Sequence, residues 1–575
     1  MFEYLLTESK SGVKTLCAKD IETNREVRIH SAYDPIKEAE RVVHSFTPGR
    51  ASLVIVSGLG LGYHVELLKK NFRDKKFLVF EFSNEVIALC KRHNPECLKD
   101  IELVNSIGEL NLFFDNINIA HLTGVSVYVH RPSYQLNPDF YDEMIETTKL
   151  NISSRVSDLL TRFEFEEKWI ENIFKNIGWL SKVPSVSILF NRFKGYPGVI
   201  VSAGPSLRES LDLLEKIKDR AVILCVDTAF KVLHKYGIEP HFVMTLDSQK
   251  YSFKHFTGVK SKSTILISDV VGCPSILRYY SGRKIISTTA KYYKDKEGTN
   301  VRETTPIMDW IERNIGTIGD VQSGGSVATS AFDLLLNMGC DPIILIGQDL
   351  AYTGREIHCS GTYHNDDWCP QINRFKNLDT INQNIIRKRK IKYVDRFNSD
   401  GVVISDFVFD LYRNWFEDSS FKVKAQVINC NSGGAKIEHT KELLPEELNL
   451  SKHKRPPQEV IDEIYFHGSL KNFDRFIEKI SLLENKLFEI ERAIALNITD
   501  EEKFDIIDEI LQDNDLNEVL RPLMRKSEFY IARHNPDEKK RSEMIYNEIV
   551  INSAKLKKFF IETKRFFCDN NKYES

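Results

Sequence analysis

The chain has ten cysteines in 575 residues, yet no CxxC pair and no regular cysteine spacing. That scatter argues against a disulfide framework and fits reduced thiols. No apolar run approaches the roughly 20 residues needed to cross a bilayer. The first residues, MFEYLLTESKSG, contain neither a basic segment nor a signal-type apolar core. A cytoplasmic location is therefore expected, with no membrane partner. Charge of one sign is lacking too. Lys and Arg number 79, Asp and Glu 82, for a net charge of -3. That balance gives no ground for a nucleic-acid partner. The remaining composition, 42% hydrophobic and 28% charged, is that of an ordinary globular protein. A chain this long calls for about two to four domains.

Three parts are expected. Residues 1–165 form an N-terminal Rossmann-like α/β domain with a helical link, residues 166–440 a central α/β domain, and residues 441–575 a helical domain. In the first, the apolar run Leu53–Val56 leads into Ser57-Gly58-Leu59-Gly60-Leu61-Gly62. A helical segment and a second strand, Phe77–Phe80, follow, ending at Glu81. This is a βαβ unit of nucleotide-binding type. Its glycines permit a tight turn, and Glu81 could take ribose hydroxyls. An empty crevice fits the same residues equally well. Val56 and Ser57 stand where a methyltransferase usually carries an acidic residue.

Helical spacing then runs through Ile152, Val156, Leu159, Leu160, Phe163 and Phe165, and on through Trp169, Ile173, Phe174, Ile177 and Leu180. Asn172 and Asn176 lie one helical turn apart and share a face. In the central part, strands are expected at 199–202, 221–226, 242–245, 264–267, 284–287 and 342–346. Helices are expected at 207–217, 229–236, 275–280 and 326–338. Such alternation predicts a mostly parallel sheet covered on both faces. Past Pro456-Pro457 the apolar pattern is helical: Ile461, Ile464, Tyr465, Leu470 and Phe473, then Ile477, Ile480, Leu483, Leu487, Ile490 and Ile494. Amphipathic helices of this kind pack on a neighbouring domain, self-associate or dock a helical protein.

Chemistry gathers at the strand ends. Gly347-Gln348-Asp349 follows the apolar run 342–346, with His358 in a loop beyond it. Polar side chains at the carboxyl end of a buried strand mark the binding crevice of an open α/β sheet. Ser202-Ala203-Gly204-Pro205-Ser206 is a strand, tight turn and helix start. Ser206 is placed to cap, and backbone N–H groups there favour an anion. Ser323-Gly324-Gly325-Ser326 opens the next long helix and makes a second candidate cradle. Asp227 and Asp247 end two further strands, where each could equally cap a turn. His358 beside a carboxylate suits a general base near neutral pH. His364, Cys359 and Cys369 lie close in sequence, but their spacing fits no standard zinc pattern.

The ordered runs SAGPSLRESLDLL, VDTAFKVLHKYGIEPHFVMTLD and GGSVATSAFDLLLNMGCDPIILIGQDLAYTGREIHCSGT resemble the motility-associated factor (Maf) family of bacterial flagellin glycosyltransferases. The segment Val427–Ile437, VINCNSGGAKI, is also similar, although Asn431-Ser432 replace the family's usual acidic–Gly pattern. The resemblance covers roughly residues 50–440. It implies a central domain similar to bacterial sialyltransferases. It further implies transfer of a nonulosonic acid, of pseudaminic or legionaminic type, from a CMP-activated donor to Ser or Thr of flagellin, in the service of flagellum assembly and motility. On that resemblance Gly204, Pro205 and Ser206 would hold the nucleotide phosphate, and Ser323, Gly324, Gly325 and Ser326 would complete the cradle. Asp227 and Asp247 would line nucleotide or sugar. Gln348 and Asp349 would sit at the reacting centre, with His358 or Asp349 as base. The expected partners are flagellin and the CMP-activated sugar. No cofactor is obligatory, a divalent metal is compatible, and self-association is open.

Other classes fit some of the same residues. The central motifs also resemble archaeal-type pterin pyrophosphokinases, which are shorter and lack the flanking domains. A non-enzymatic flagellin-binding accessory factor or chaperone would grip a coiled partner with the C-terminal helices. An N-terminal methyltransferase would need S-adenosylmethionine at Gly58–Gly62.

Overall fold

The structure is a computed structural model. It describes residues 2–570 apart from 118, 120–121, 291, 295–299, 304–305, 465, 467, 469–472 and 535–536. Tyr465 and Leu470, read above as helical, lie outside the described residues. The chain divides into two compact units, Met1–Glu164 and Phe165–Ser575. No helix among the described residues is long and apolar enough to cross a membrane.

The first unit opens with an antiparallel meander of β1 (Phe2–Glu8), β2 (Lys14–Asp20) and β3 (Glu26–Arg28). A parallel sheet follows, made of β4 (Leu53–Ser57), β5 (Lys76–Phe80), β6 (Glu102–Val104) and β7 (Val125–Val129), in the order β6-β5-β4-β7. All five residues of β4 are buried. An unbroken apolar run is what a parallel strand covered on both faces requires.

The glycine-rich turn after β4 is filled by the protein's own side chains. A Cβ at Gly58 would collide with Ser133, and one at Gly62 with Cys97. At Gly60 it would lie 2.5 Å from His30 Nε2. His30 Nε2 accepts the Leu61 N–H at 2.7 Å. His64 and His130 stack at 4.1 Å with rings 9° apart. Glu81 points at the same turn rather than at open space. Its carboxylate accepts the Leu59 N–H at 3.0 Å and the Ser83 N–H at 3.1 Å. Gly58, Gly60 and Gly62 therefore admit side chains.

The second unit is built on a nine-stranded, wholly parallel sheet. Its strands are β8 (Gly198–Val201), β9 (Val222–Val226), β10 (Phe242–Thr245), β11 (Ile265–Asp269), β12 (Lys284–Ala290), β15 (Asp320–Gln322), β16 (Ile343–Ile346), β19 (Val427–Cys430) and β20 (Lys441–Leu443). They stand in the order β15-β12-β11-β10-β9-β8-β16-β19-β20. Two hairpins are inserted: β13 (Tyr292–Lys294) with β14 (Asn300–Arg302), and β17 (Ile391–Asp395) with β18 (Val402–Asp406). The six strands expected from the sequence are all present, within a few residues. β15 and β20, three residues each, are too short for a periodic signal, and β19 is not among the strands expected.

Asn172 and Asn176, at the end of the helix Pro138–Asn176, are fully buried. Asn172 Nδ2 donates to the Ser248 and Val271 carbonyls at 3.0 and 2.9 Å. Asn176 Nδ2 donates to the Val270 and Gly272 carbonyls at 2.9 and 2.8 Å. One helical turn apart, they clamp the loops that leave β10 and β11. The C-terminal helices Phe473–Ala495, Asp500–Leu511, Asn514–His534 and Glu538–Asn570 pack on the sheet domain. Trp310, fully buried, meets Phe476 at 5.6 Å, and Thr563 Oγ1 donates to the Phe174 carbonyl at 2.7 Å.

Burial sets a pH dependence in the first unit. It pushes His30 down to about 3 and His64 to about 4, and holds His130 well below the usual histidine value. Between those values and about 6.5 the unfolded chain binds more protons than the folded one, so stability falls as pH drops. Glu81, raised to about 7 by burial, acts in the opposite sense. Its contribution is complete below the ordinary carboxyl range and is lost as pH rises through about 7. With three histidines against one carboxyl, hydrogen-exchange protection of β4, corrected for intrinsic rate, should fall between pH 7 and pH 5 in the whole protein. His64→Gln should flatten that fall. Equal protection at both pH values would contradict the assignment.

Candidate functional site

In an open parallel sheet, ligands bind beyond the carboxyl ends of the strands where the strand order reverses. Here the chain runs outward from β8 through β9, β10, β11, β12 and β15, then returns to place β16 on the other side of β8. The reversal lies between β8 and β16. A cleft of about 190 Å³ opens there, lined by Ser202–Gly204, Val226–Thr228, Ser326–Ala328, Gly347–Ala351, Ile357, His358, Phe409 and Tyr412.

The floor of the cleft is a buried polar knot. Ser202 Oγ donates to Gln348 Oε1 at 2.5 Å. Asp349, 2% exposed, accepts the Ser206 hydroxyl at 2.5 Å and the Ser206 N–H at 3.1 Å. Asn431 Oδ1 accepts the Gly347 N–H at 2.7 Å and approaches Ser206 Oγ at 3.2 Å. The Asp349 carbonyl accepts the Ala435 N–H at 2.7 Å. The loops after β8, β16 and β19 are thereby tied together. Burial raises the Asp349 carboxyl to about 6, against the lowering effect of the Ser206 bonds.

This knot changes the reading of two residues. Gly204 is glycine because a Cβ would collide with the Asp349 carboxylate and lie 2.5 Å from the Gly347 carbonyl. Ser206 does not cap an α-helix. Pro205–Ser210 is a 3₁₀ turn, and the α-helix begins only at Leu211. The Ser206 N–H faces Asp349, and both Pro205 and Ser206 are buried behind the lining.

The second glycine turn is also engaged internally. Gly324 N–H and Ser326 N–H donate to Thr329 Oγ1 at 2.9 and 3.3 Å, and Gly325 N–H donates to Ser323 Oγ at 3.2 Å. A Cβ at Gly324 would collide with the Trp415 ring. Ser326 caps the helix Val327–Asn337 and reaches the cleft, whereas Ser323, Gly324 and Gly325 lie outside its lining.

Asp227 belongs to the cleft, but both its oxygens are engaged. Oδ1 accepts the Thr228 N–H at 2.7 Å, and Oδ2 accepts the Thr245 hydroxyl at 2.8 Å. Asp247 is exposed and outside the lining, where it accepts the Gln249 N–H at 2.9 Å in a turn. His358 stands on the wall. Burial, with the neighbouring His255, pushes it down to about 4, so its imidazole is neutral. Its ring stacks on His364 at 4.8 Å. Among the described residues no three His, Cys, Asp or Glu side chains are grouped to hold a metal. Thr228 lies in the quoted run VDTAFK but was not singled out, and Phe409 and Tyr412 belong to no motif. Asn431 was legible only as a departure from a family pattern.

Asn431→Ala would leave the buried Gly347 N–H without its acceptor. A loss of about 1–3 kcal/mol is expected, read from urea unfolding of the second unit. An unchanged midpoint would refute the part given to this bond.

Residues 171–355 match the family model described as 6-hydroxymethylpterin diphosphokinase MptE-like. Relatives include two uncharacterized proteins of Treponema pallidum (strain Nichols). One is 27% identical over 271 residues, which is 44% of this chain and 45% of the relative. Another is 22% identical over 200 residues, 31% of this chain and 50% of the relative. The chain thus spans about half the length of these curated relatives. Among solved structures it is similar to the Maf glycosyltransferase from Magnetospirillum magneticum AMB-1, with a TM-score of 0.55, 15% identity, and coverage of 98% of this chain and 92% of that one. In fold, as in the ordered motifs of its central domain, the chain resembles the Maf glycosyltransferases.

Proposed function

We propose that this protein is a glycosyltransferase that moves a nonulosonic acid, of pseudaminic or legionaminic type, from its CMP-activated form to Ser or Thr hydroxyls of flagellin. The reaction would occur in the cytoplasm and serve flagellum assembly and motility. The observation that carries the reading is the strand-end cleft, set in a fold shared over nearly the whole chain with a Maf glycosyltransferase.

The residues suit that chemistry. The leaving group is a single phosphate ester. The helix Val327–Asn337 starts at the cleft with Ser326, Val327 and Ala328, where its dipole favours an anion. Gln348, held by Ser202, is placed to orient the sugar. Asp227 and Thr228 add polar groups to the lining. The acceptor hydroxyl loses its proton as its oxygen bonds to the anomeric carbon and the phosphate oxygen leaves. His358, neutral and on the wall, is the better base. Asp349 is already committed to Ser206. A single displacement inverts the anomeric configuration. With both Asp227 oxygens and the Asp349 carboxylate engaged, no step is assigned to a metal.

A second reading rests on the family model over residues 171–355. That stretch contains Ser202–Gly204, Asp227 and Gln348–Asp349 but ends before His358 and Tyr412. Pyrophosphate transfer from ATP to a hydroxymethylpterin would be the corresponding activity.

Intact mass of flagellin decides between them, in cells that supply CMP-activated nonulosonic acids. The expected result is a mass increase in steps of one sugar, present only with the active protein and reduced about 10²-fold or more in rate for His358→Ala. Unchanged flagellin mass, with pterin pyrophosphorylation in its place, would establish the second reading. The pH profile assigns the base. With His358, transfer should hold level from pH 8 to about 5 and fall near 4. An acid limb near 6 would point to Asp349 instead.

A further inference from the structure

The cleft is short of positive charge. Its lining includes Asp227 and Asp349 but no lysine or arginine. Its volume, about 190 Å³, is below the roughly 300 Å³ at which pockets for drug-sized ligands begin. A nucleotide does not fit wholly inside, so part of it has to lie at the rim.

A run of cations is carried by the segment that joins two elements of the cleft wall. The helix Leu378–Ile386 holds the cleft wall through Asn382, whose Oδ1 accepts the Ile357 N–H at 3.2 Å. Arg387, Lys388, Arg389 and Lys390 follow at once, and all four are exposed. The hairpin of β17 and β18 comes next and is docked on the loop after β16. Tyr352 N–H donates to the Ile404 carbonyl at 2.8 Å, and Ser405 Oγ donates to the Leu350 carbonyl at 2.8 Å. The helix Phe407–Lys422 then brings Phe409 and Tyr412 to the lining. Phe407 N–H returns to the Lys390 carbonyl at 3.0 Å. The basic run is thus fastened at both ends to elements that build the cleft wall.

The four cations are not equivalent. Lys390 Nζ lies over the Phe407 ring at 5.1 Å, and the next cation, Lys392, is paired with Asp410. Arg387, Lys388 and Arg389 have no carboxylate partner among the described residues. Burial raises the Tyr352 and Tyr412 phenols, and Arg389 is the cation whose field opposes that rise in both. Adjacent unpaired cations repel one another, and an anion relieves that repulsion.

We propose that Arg387 and Arg389, with Lys388, form a phosphate-binding rim that supplies the counter-charge the cleft lacks for a bound nucleotide. The planar guanidinium matches phosphate oxygens in pairs, which an ammonium does not. The inference rests on the nucleotide-dependent reading above, but not on the identity of the base or the sugar.

Titration calorimetry on the full chain tests it, with CMP, cytidine, AMP and adenosine as probes. The variants are Arg387→Gln/Arg389→Gln and Arg389→Lys. Both positions are exposed, and an unchanged thermal midpoint verifies the fold. The expected result is a loss of about tenfold or more in CMP affinity for the double variant, with cytidine binding unchanged. The salt dependence of CMP binding should also weaken. Arg389→Lys should recover part of the loss. If the wild-type chain binds CMP and the double variant binds it equally well, the rim is refuted and the transferase reading stands. If AMP rather than CMP shows the arginine-dependent binding, the rim stands and the CMP-sugar reading falls. Equal losses for CMP and cytidine, or no nucleotide binding by the wild-type chain, overturn the rim.

Discussion

The buried Asp349 carboxylate is the constraint on which the site depends. A carboxylate taken out of water is costly unless its oxygens are bonded. Ser206 supplies both a hydroxyl and an N–H, and that demand fixes the turn after β8 against the strand end of β16. Gly204 has to be glycine to let the carboxylate in. Gly434, at φ +102, has to be glycine because its Cβ would sit 2.6 Å from the Asp349 carbonyl. Three loops from three adjacent strands are therefore positioned by one residue. The shape of the cleft floor follows from the bonds of a group that itself has little freedom left to react.

Glycine-rich turns in the two units share a physical logic. Gly58, Gly60 and Gly62 make room for Ser133, His30 and Cys97, and Gly324 makes room for Trp415. In each case a strand or loop end is followed by glycines, as in a nucleotide-binding turn. In each case the space is taken by a side chain from elsewhere in the same unit. A glycine records that something approaches the backbone closely, and sequence spacing does not say whether that is a phosphate or an indole.

The long helix and the C-terminal bundle hold two strand-end loops of the same sheet. Asn172 and Asn176 satisfy four carbonyls of the loops after β10 and β11. Loops crossing the carboxyl end of a sheet expose backbone acceptors that no ladder can use, and a buried one has to find a donor. The helix that carries these residues is packed in turn by Phe560, at 5.2 Å from Phe174. Two amide side chains thus join the helix that packs on the bundle to the strand-end loops.

Residue pattern alone determined the parallel strands of the second unit. Continuous apolar runs such as 343–346 can satisfy their backbone and bury both faces only in the interior of such a sheet. It also determined that polar residues would gather at the ends of those runs, and so placed Gly204, Asp227, Gln348, Asp349 and His358 near one crevice. The amphipathic C-terminal helices were equally legible, because their period is local. What only the tertiary structure decided is which donor meets which acceptor. Ser206 turns to Asp349, Gly324 admits Trp415, Asp247 stays outside, and Phe409 and Tyr412 reach the cleft from about 200 residues beyond β8. Spacing along the chain reports helix and strand periods over a few turns. The partners of a buried polar group are chosen by the order of strands in the sheet, and that order is a long-range property.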